Sequence, residues 1–442
     1  MATVNSRIEN VYGLSPLQEG MLFHHLYDNN SESYILQSVF SSDKKINIDL
    51  MKKAADLLSK KYDVLRTAFA YEKLKKPRQV IISDKKVEFN CVDFTQYNSF
   101  ELDNQIKDYI SKDLKRGFDL THDSLFRLTF FKVDEDKYKI LFSFHHIIVD
   151  GWCINAIYKK LLEYYKSLEK GISFEDIERE ISEEKKLKSE YGDYISWLEN
   201  QDQTKALEYW ENELEGYDSE ADIKAMSAPE PTEDQMREVE GETDADTTEK
   251  IRKITENNEA TINVAAEIAV GILLQKYSGS KDVVFGKVVS GRNAPINGIE
   301  DMVGLFVNTI PVRIRIDEKT TVSELIKTQQ EKGTESTNYD YCSLADIQSK
   351  TAQGSELIKV LYVFENYASG AVTAAEDTDS TIKVESAREQ TNYGITIYGL
   401  EKEGRMSFKV RYDPNKYCDN EIRLIMDRLL KICREMAENP NG

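Results

Sequence analysis

Ile140-Leu141-Phe142-Ser143-Phe144-His145-His146-Ile147-Ile148-Val149-Asp150-Gly151 is the stretch on which the fold turns. Its first five residues end the most apolar strand pattern in the chain. The run 137–145 faces a second apolar run, 125–133, across Asp134-Glu135-Asp136, which predicts a β-hairpin. Successive strand side chains point to opposite faces. His145 and His146 are therefore expected on different surfaces, which disfavours a joint metal site. Asp150-Gly151 should close the strand in a turn, where Asp bonds local backbone and Gly permits positive φ. A helix is expected to follow over 154–168.

Outward from this hairpin, strands and helices alternate with long crossovers. Residues 33–40 read as a strand, and 48–60 and 100–114 as helices. The charged segment 169–191 has no sustained apolar pattern and reads as a surface connection, with a helix after it over 194–210. Residues 217–248, rich in Asp, Glu, Thr and Pro, read as loop and edge strand. The theme then repeats: helix 262–277, strands 283–290 and 305–316, and helix 322–333. Strands over 360–365, 382–385, 394–400 and 406–412 should form a further sheet, before a final helix at 420–438. A chain of 442 residues is too long for one compact core. The expected division is 1–175, with the histidine motif, and 176–442, linker plus second domain.

The formal net charge of -20, from 78 acidic and 58 basic residues, disfavours a nucleic-acid partner. No apolar run approaches the roughly 20 residues needed to span a bilayer, and the polar first residues carry no signal-peptide core. Five scattered cysteines (Cys91, Cys153, Cys342, Cys418, Cys433) argue for free thiols in a reducing cytoplasm rather than a disulfide framework or zinc site. The chain is thus expected to be cytoplasmic, without membrane or metal, and monomeric.

Five histidines occur. His122 lies in a polar loop and reads as solvated surface, while His24 and His25 fall on an expected helix. A positioned imidazole is the usual general base near neutral pH. On the residues alone, a catalytic histidine and a pair of satisfied core histidines are equally supported at 145–146.

Histidine, three residues, then Asp-Gly after a buried strand resembles the acyltransferase superfamily that includes chloramphenicol acetyltransferase. The doubled histidine resembles, more narrowly, the condensation domain of a nonribosomal peptide synthetase. Further segments follow in that family's order. Leu14-Ser15-Pro16-Leu17-Gln18-Glu19-Gly20-Met21-Leu22-Phe23-His24 is similar to its first motif, and Tyr62-Asp63-Val64-Leu65-Arg66-Thr67-Ala68-Phe69 to its second. Tyr191-Gly192-Asp193-Tyr194-Ile195-Ser196-Trp197, Ser290-Gly291-Arg292 and Ile299-Glu300-Asp301-Met302-Val303-Gly304-Leu305-Phe306-Val307-Asn308-Thr309 follow. The Gln-Glu-Gly-Met-Leu-Phe-His start, the Tyr62-Asp63 pair and Asp150-Gly151-Trp152-Cys153 resemble the subclass that joins a D-configured donor to an L acceptor. The intact histidines argue against the heterocyclising subclass. An epimerising relative, an acyltransferase using coenzyme A and a non-catalytic recruitment module remain alternatives.

The resemblance implies an α/β fold of two chloramphenicol acetyltransferase-like subdomains in a V-shaped pseudo-dimer with a tunnel between them. It implies no permanently bound cofactor: phosphopantetheine arms arrive on donor and acceptor peptidyl carrier proteins, beside a neighbouring adenylation domain. His146 matches the family's catalytic histidine, acting as a base or by placing the amine. His145 is then structural. Asp150 is expected to pair with an arginine, Arg292 first and Arg66 second; a core salt bridge is the equal alternative for Arg66. Gly151 would let the backbone amide approach the thioester. Trp152, His24, Asn308, Thr309 and Tyr393 are candidate tunnel or substrate-lining residues.

Overall fold

The computed structural model of the chain describes residues 8–27, 34–232, 236–317, 319–365, 382–388 (as backbone) and 393–441. The chain divides into two compact units. The first comprises Met1–Gln201, Ala294–Phe306 and Gly370–Gln390, and the second Asp202–Asn293, Val307–Ser369 and Thr391–Gly442.

The first unit starts with β1 (Ile8–Tyr12), α1 (Pro16–Tyr27), β2 (Ile35–Ser42), α2 (Ile48–Lys61), β3 (Thr67–Ala70), β4 (Arg78–Ile82) and β5 (Glu88–Asp93). It continues with α3 (Ser99–Arg116), β6 (Phe126–Lys132), β7 (Tyr138–His145), α4 (Gly151–Glu169), α5 (Phe174–Lys185) and α6 (Tyr191–Glu199). β6 and β7 form the expected hairpin, closed by Val133 N–H to the Lys137 carbonyl at 3.0 Å. β2 pairs with the other edge of β7, setting Ile35 opposite His145, and β5 runs parallel to β6. Both faces of this sheet are covered. Phe40 and Phe142 pack with Tyr158 of α4 on one face. Val39, Phe131 and Leu141 pack with Ile106 of α3 on the other. Burial on both sides is why the strand reads as a near-continuous apolar run.

α2 forms because Asn47 caps its N-terminus, accepting Leu50 N–H at 3.2 Å, and because Met51, Ala54, Ala55 and Leu58 line one buried face. Against that helix packs α5, in the segment that reads as plain connection. Two residues one turn apart, Ile177 and Ile181, are its only buried side chains. Ion pairs Lys60–Glu178 (2.7 Å) and Lys61–Glu184 (2.5 Å) tie α5 to α2. So narrow a stripe escapes a periodicity reading, and it carries the first unit past residue 175 to Gln201. The helix expected over 194–210 is also interrupted: Asp202 accepts Lys205 N–H at 3.1 Å and starts a new helix.

That helix is α7 (Gln203–Glu213), the first of the second unit. β8 (Arg237–Glu242), α8 (Ala245–Asn257), α9 (Ile262–Ser278), β9 (Asp282–Val289), β10 (Asn308–Arg315), α10 (Val322–Ser336), α11 (Leu344–Ser349) and β11 (Val360–Glu365) follow. Next come β12 (Ile382–Arg388), β13 (Ile395–Lys402), β14 (Arg405–Tyr412) and α12 (Asp419–Glu438). The second sheet has the order β10-β9-β11-β13-β14-β8, with β8 on an edge as expected. Its alternately exposed REVEGE sequence keeps that edge charged. The core lies against α9, almost wholly buried from Val264 to Leu274, and α12.

The four late strands do not share one sheet. β12 belongs to the first unit and pairs antiparallel with β2, making the first sheet β12-β2-β7-β6-β5. Strand pairing is set by chain crossover, which local sequence does not encode. The architecture is the expected mixed α/β. Among the described residues no helix is long and apolar enough to cross a membrane.

Candidate active site

β7 ends at His145, and the chain turns at once into a short 3-10 helix, His146–Ile148. His145 lies on the same side of the sheet as Leu141 and Ser143. It is 3% exposed, and its Nδ1 accepts the Ile147 N–H at 3.1 Å. The proton of the neutral ring therefore sits on Nε2. Burial, with His25 and His146 nearby, pushes this imidazole down to about 3. His145 is thus a neutral cap for the turn. His146 is separated from it by the end of the strand, not by strand alternation as expected. It begins the turn at 9% exposure, its backbone N–H donating to the Tyr34 carbonyl at 2.7 Å.

Three segments hold this turn. The first is the start of α1, with Ser15 just before it. Gln18, fully buried, donates through Nε2 to the Ile147 carbonyl at 2.8 Å and accepts the Ser15 N–H at 2.8 Å. Gln79 on β4 completes a reciprocal amide pair, accepting Gln18 Nε2 at 3.1 Å and donating to Gln18 Oε1 at 2.9 Å. All these groups are out of water, so each lost partner exposes a desolvation penalty. Gln18→Leu should lower the unfolding free energy by about 1–3 kcal/mol and reduce turnover with it. Unchanged denaturation midpoint and turnover would refute the role.

The second is Asp150, which precedes α4. It occupies the N-cap position, yet its carboxylate does not cap the helix. Instead Oδ2 accepts the Phe306 N–H at 3.1 Å, and Oδ1 accepts the Cys153 thiol at 3.2 Å. The Asp150 N–H donates to the Gly304 carbonyl at 3.2 Å. Cys153 Sγ lies 3.2 Å from that same carbonyl and accepts the Gly304 N–H at 3.3 Å. Beside the local bond from Cys153, the Asp150 carboxylate and amide thus bind residues about 150 positions away, Phe306 and Gly304. Arg66 does not pair with Asp150: its guanidinium binds Asp63 and Glu9, and its Nε donates to the Ser59 carbonyl at 2.9 Å. It is the core salt bridge of its own neighbourhood.

The third is α6, which clamps 302–306 from behind. Tyr191 donates to the Leu305 carbonyl at 2.7 Å and meets the Phe306 ring edge-on at 5.2 Å. Tyr194 packs on the same ring at 4.6 Å. Gly304 is what admits the Tyr191 ring, since a Cβ there would lie 2.5 Å from Cε2 and nearer still to Cδ2.

Segments from the first motif, the 191–197 motif and residues 304–306, distant in sequence, thus gather around the segment 146–150. A family model described as the condensation domain matches residues 8–442. The chain belongs to the condensation-domain family. It is 37% identical to tyrocidine synthase 3 of Brevibacillus parabrevis over 98% of this chain and 7% of that one. It is 33% identical to bacitracin synthase 1 of Bacillus licheniformis, again over 98% of this chain and 8% of the relative. The chain therefore spans a small fraction of these relatives. In fold it is similar to a four-domain nonribosomal peptide synthetase solved in its holo form with AMP and glycine. The TM-score is 0.78 at 16% identity, covering 100% of this chain and 34% of that one. The X-domain from teicoplanin biosynthesis is similar too, with TM-score 0.78 at 19% identity over 97% and 96% of the two chains.

Around the turn of this condensation domain, Gly151 opens α4 without positive φ, and a Cβ there would meet nothing within 4 Å. Glycine is therefore not needed for the backbone angle assumed from sequence; it leaves space. Trp152 is 45% exposed and donates its indole N–H to the Glu300 carbonyl at 3.2 Å. His24 on α1 is exposed beside Phe23 and Tyr34, whereas His25 packs on His145 at 5.9 Å. His122 is exposed against Asp119.

Four candidates belong to the second unit. Arg292 follows β9 in a turn where Gly291 takes φ 64°, its N–H donating to Ser290 Oγ at 3.4 Å. Asn308 is buried and uses its amide to hold the carbonyls of Asp340 and Cys342, at 2.7 and 2.8 Å, a structural task. Thr309 is buried in the β10–β9 ladder opposite Val288. Tyr393 is partly buried, and burial pushes its phenol up to about 12. Gln18, Cys153, Tyr191 and Gly304 are the site residues that sequence reasoning passed over. All lie within the motifs of the chain, and their roles are supports that no spacing announces.

Proposed function

We propose that this condensation domain joins two substrates carried as thioesters on phosphopantetheine arms. The acceptor amine attacks the donor thioester carbonyl; a C–N bond forms, the C–S bond breaks, and the donor thiol departs with the proton the amine gives up. His146 serves as base or as the group that places the amine, and either role contributes through position. The observation that carries this reading is the His146 turn itself, held from its backbone by Tyr34, Gln18 and the cap from His145. Such framing suits a residue that must present one side chain in one place. The partners would be donor and acceptor carrier proteins with an adenylation domain alongside, and the ancestry that of the chloramphenicol acetyltransferase-like superfamily. Turnover with carrier thioesters, and none with acyl-coenzyme A in place of the donor, is the expected result; the reverse would reject the reading.

The finer proposal is a D-configured donor residue. It is supported by the Gln18-Glu19-Gly20-Met21-Leu22-Phe23-His24 start, the Tyr62-Asp63 pair and Trp152-Cys153 after the Asp-Gly. Donor thioesters differing only in the configuration of the last residue should react at clearly unequal rates, D faster. Equal rates, or faster reaction of L, would reject it.

A further inference from the structure

On the α3 side of the first sheet, Leu141, Ser143 and His145 succeed one another along β7. Beneath them lies a buried ion pair that the proposed chemistry does not use. Asp113 on α3 accepts Arg127 Nε at 2.8 Å, Ser143 Oγ at 2.6 Å and Gln37 Nε2 at 2.9 Å. Arg127, 1% exposed, also donates to the carbonyls of Gly117 and Asp113 at 2.7 and 3.0 Å. This fixes its guanidinium as a plate. The plate stacks on Phe118, its central carbon 3.8 Å from the ring centroid. The same phenyl ring meets the His145 imidazole at 6.1 Å and 85°, and His25 meets that imidazole at 5.9 Å and 82°.

We propose that Phe118, backed by Arg127, is a positioning residue: it fixes the ring plane of His145 so that Nδ1 meets the Ile147 N–H, and thereby sets the turn that presents His146. The physical reason lies in the imidazole. Its outer torsion has broad, roughly two-fold wells, and a half-turn would put Cδ2 where Nδ1 stands. The Ile147 N–H would then lose its acceptor. Phe118 and His25 both stand nearly perpendicular to the imidazole and hinder that rotation, and the guanidinium stack holds the phenyl ring in place. Apolar residues of similar volume often match a buried ion pair in stability; what the pair supplies here is a fixed plane.

The inference rests on the amide-forming reading, and the test separates the two. Phe118→Leu keeps the Asp113–Arg127 pair and removes the ring. Phe131→Leu, the same change on the same face of the sheet but in the cluster with Val39 and Leu141, is the matched control. With loaded carriers, Phe118→Leu should lower kcat by about tenfold to a hundredfold at KM values within about twofold, while Phe131→Leu leaves kcat within about twofold. Imidazole nitrogen resonances, read without substrate, should show His145 locked in one neutral tautomer in the parent and the control and averaging in Phe118→Leu. A kcat that follows only the folded fraction in both variants, or a His145 signal unmoved in Phe118→Leu, would overturn the proposal. A parent chain inactive on loaded carriers would instead reject the amide-forming reading, and the resonances would still decide the positioning role.

Discussion

His146→Ala is expected to fold and to form no product above background from two loaded carriers. The turn that carries His146 is held by backbone and neighbouring groups: His146 N–H to the Tyr34 carbonyl, Gln18 to the Ile147 carbonyl, and Ile147 N–H to His145. Deleting the imidazole leaves each of these bonds in place. The stability loss should therefore stay within about 0.5–3 kcal/mol. Turnover should fall by roughly 10²–10⁴-fold if the ring acts as a general base, and by a similar order if it only places the amine. Product measured by mass spectrometry, beside far-UV circular dichroism for the fold, checks both halves. Turnover near that of the parent would remove His146 from the chemistry.

Gly304→Ala should be the most damaging single methyl group in the first unit. The added carbon would overlap the Tyr191 ring, and that ring cannot retreat. It is 3% exposed, its hydroxyl is bonded to Leu305, and its ring packs against those of Tyr194 and Phe306. Overpacking of this kind costs about 1–3 kcal/mol or more. The displacement would also reach the site, because the Gly304 carbonyl and amide bind Asp150 and Cys153. A depressed melting temperature with reduced turnover is expected. Gly151→Ala, where the new carbon meets nothing, is the control and should melt with the parent. If Gly304→Ala melts with the parent as well, the clamp by α6 is not what sets the segment.

Much of the local structure was legible because it follows from local rules. The β6–β7 hairpin, α2, α3, α4 and α9 announce themselves by apolar periodicity, and Asp-Gly marks where β7's continuation stops. α5 was not legible: Ile177 and Ile181 are too few to outweigh the charge around them, and only the ion pairs with α2 show the helix its place. The break between α6 and α7 was available in Asn200 and Asp202 as stop and start signals. The membership of β12 was not available at all, since its partner β2 lies over 300 residues earlier.

The sequence by itself determined the strand, turn and helix that carry His-His-x-x-x-Asp-Gly, because these elements are contiguous and built from neighbours. Only the tertiary structure decided what each residue does there. It made His145 a neutral cap and released Arg66 to Asp63 and Glu9. It also gave the Asp150 carboxylate to Phe306 and Cys153. A buried polar group takes whichever partner the fold brings within hydrogen-bond reach, and that partner can lie 156 residues away, as Phe306 does from Asp150.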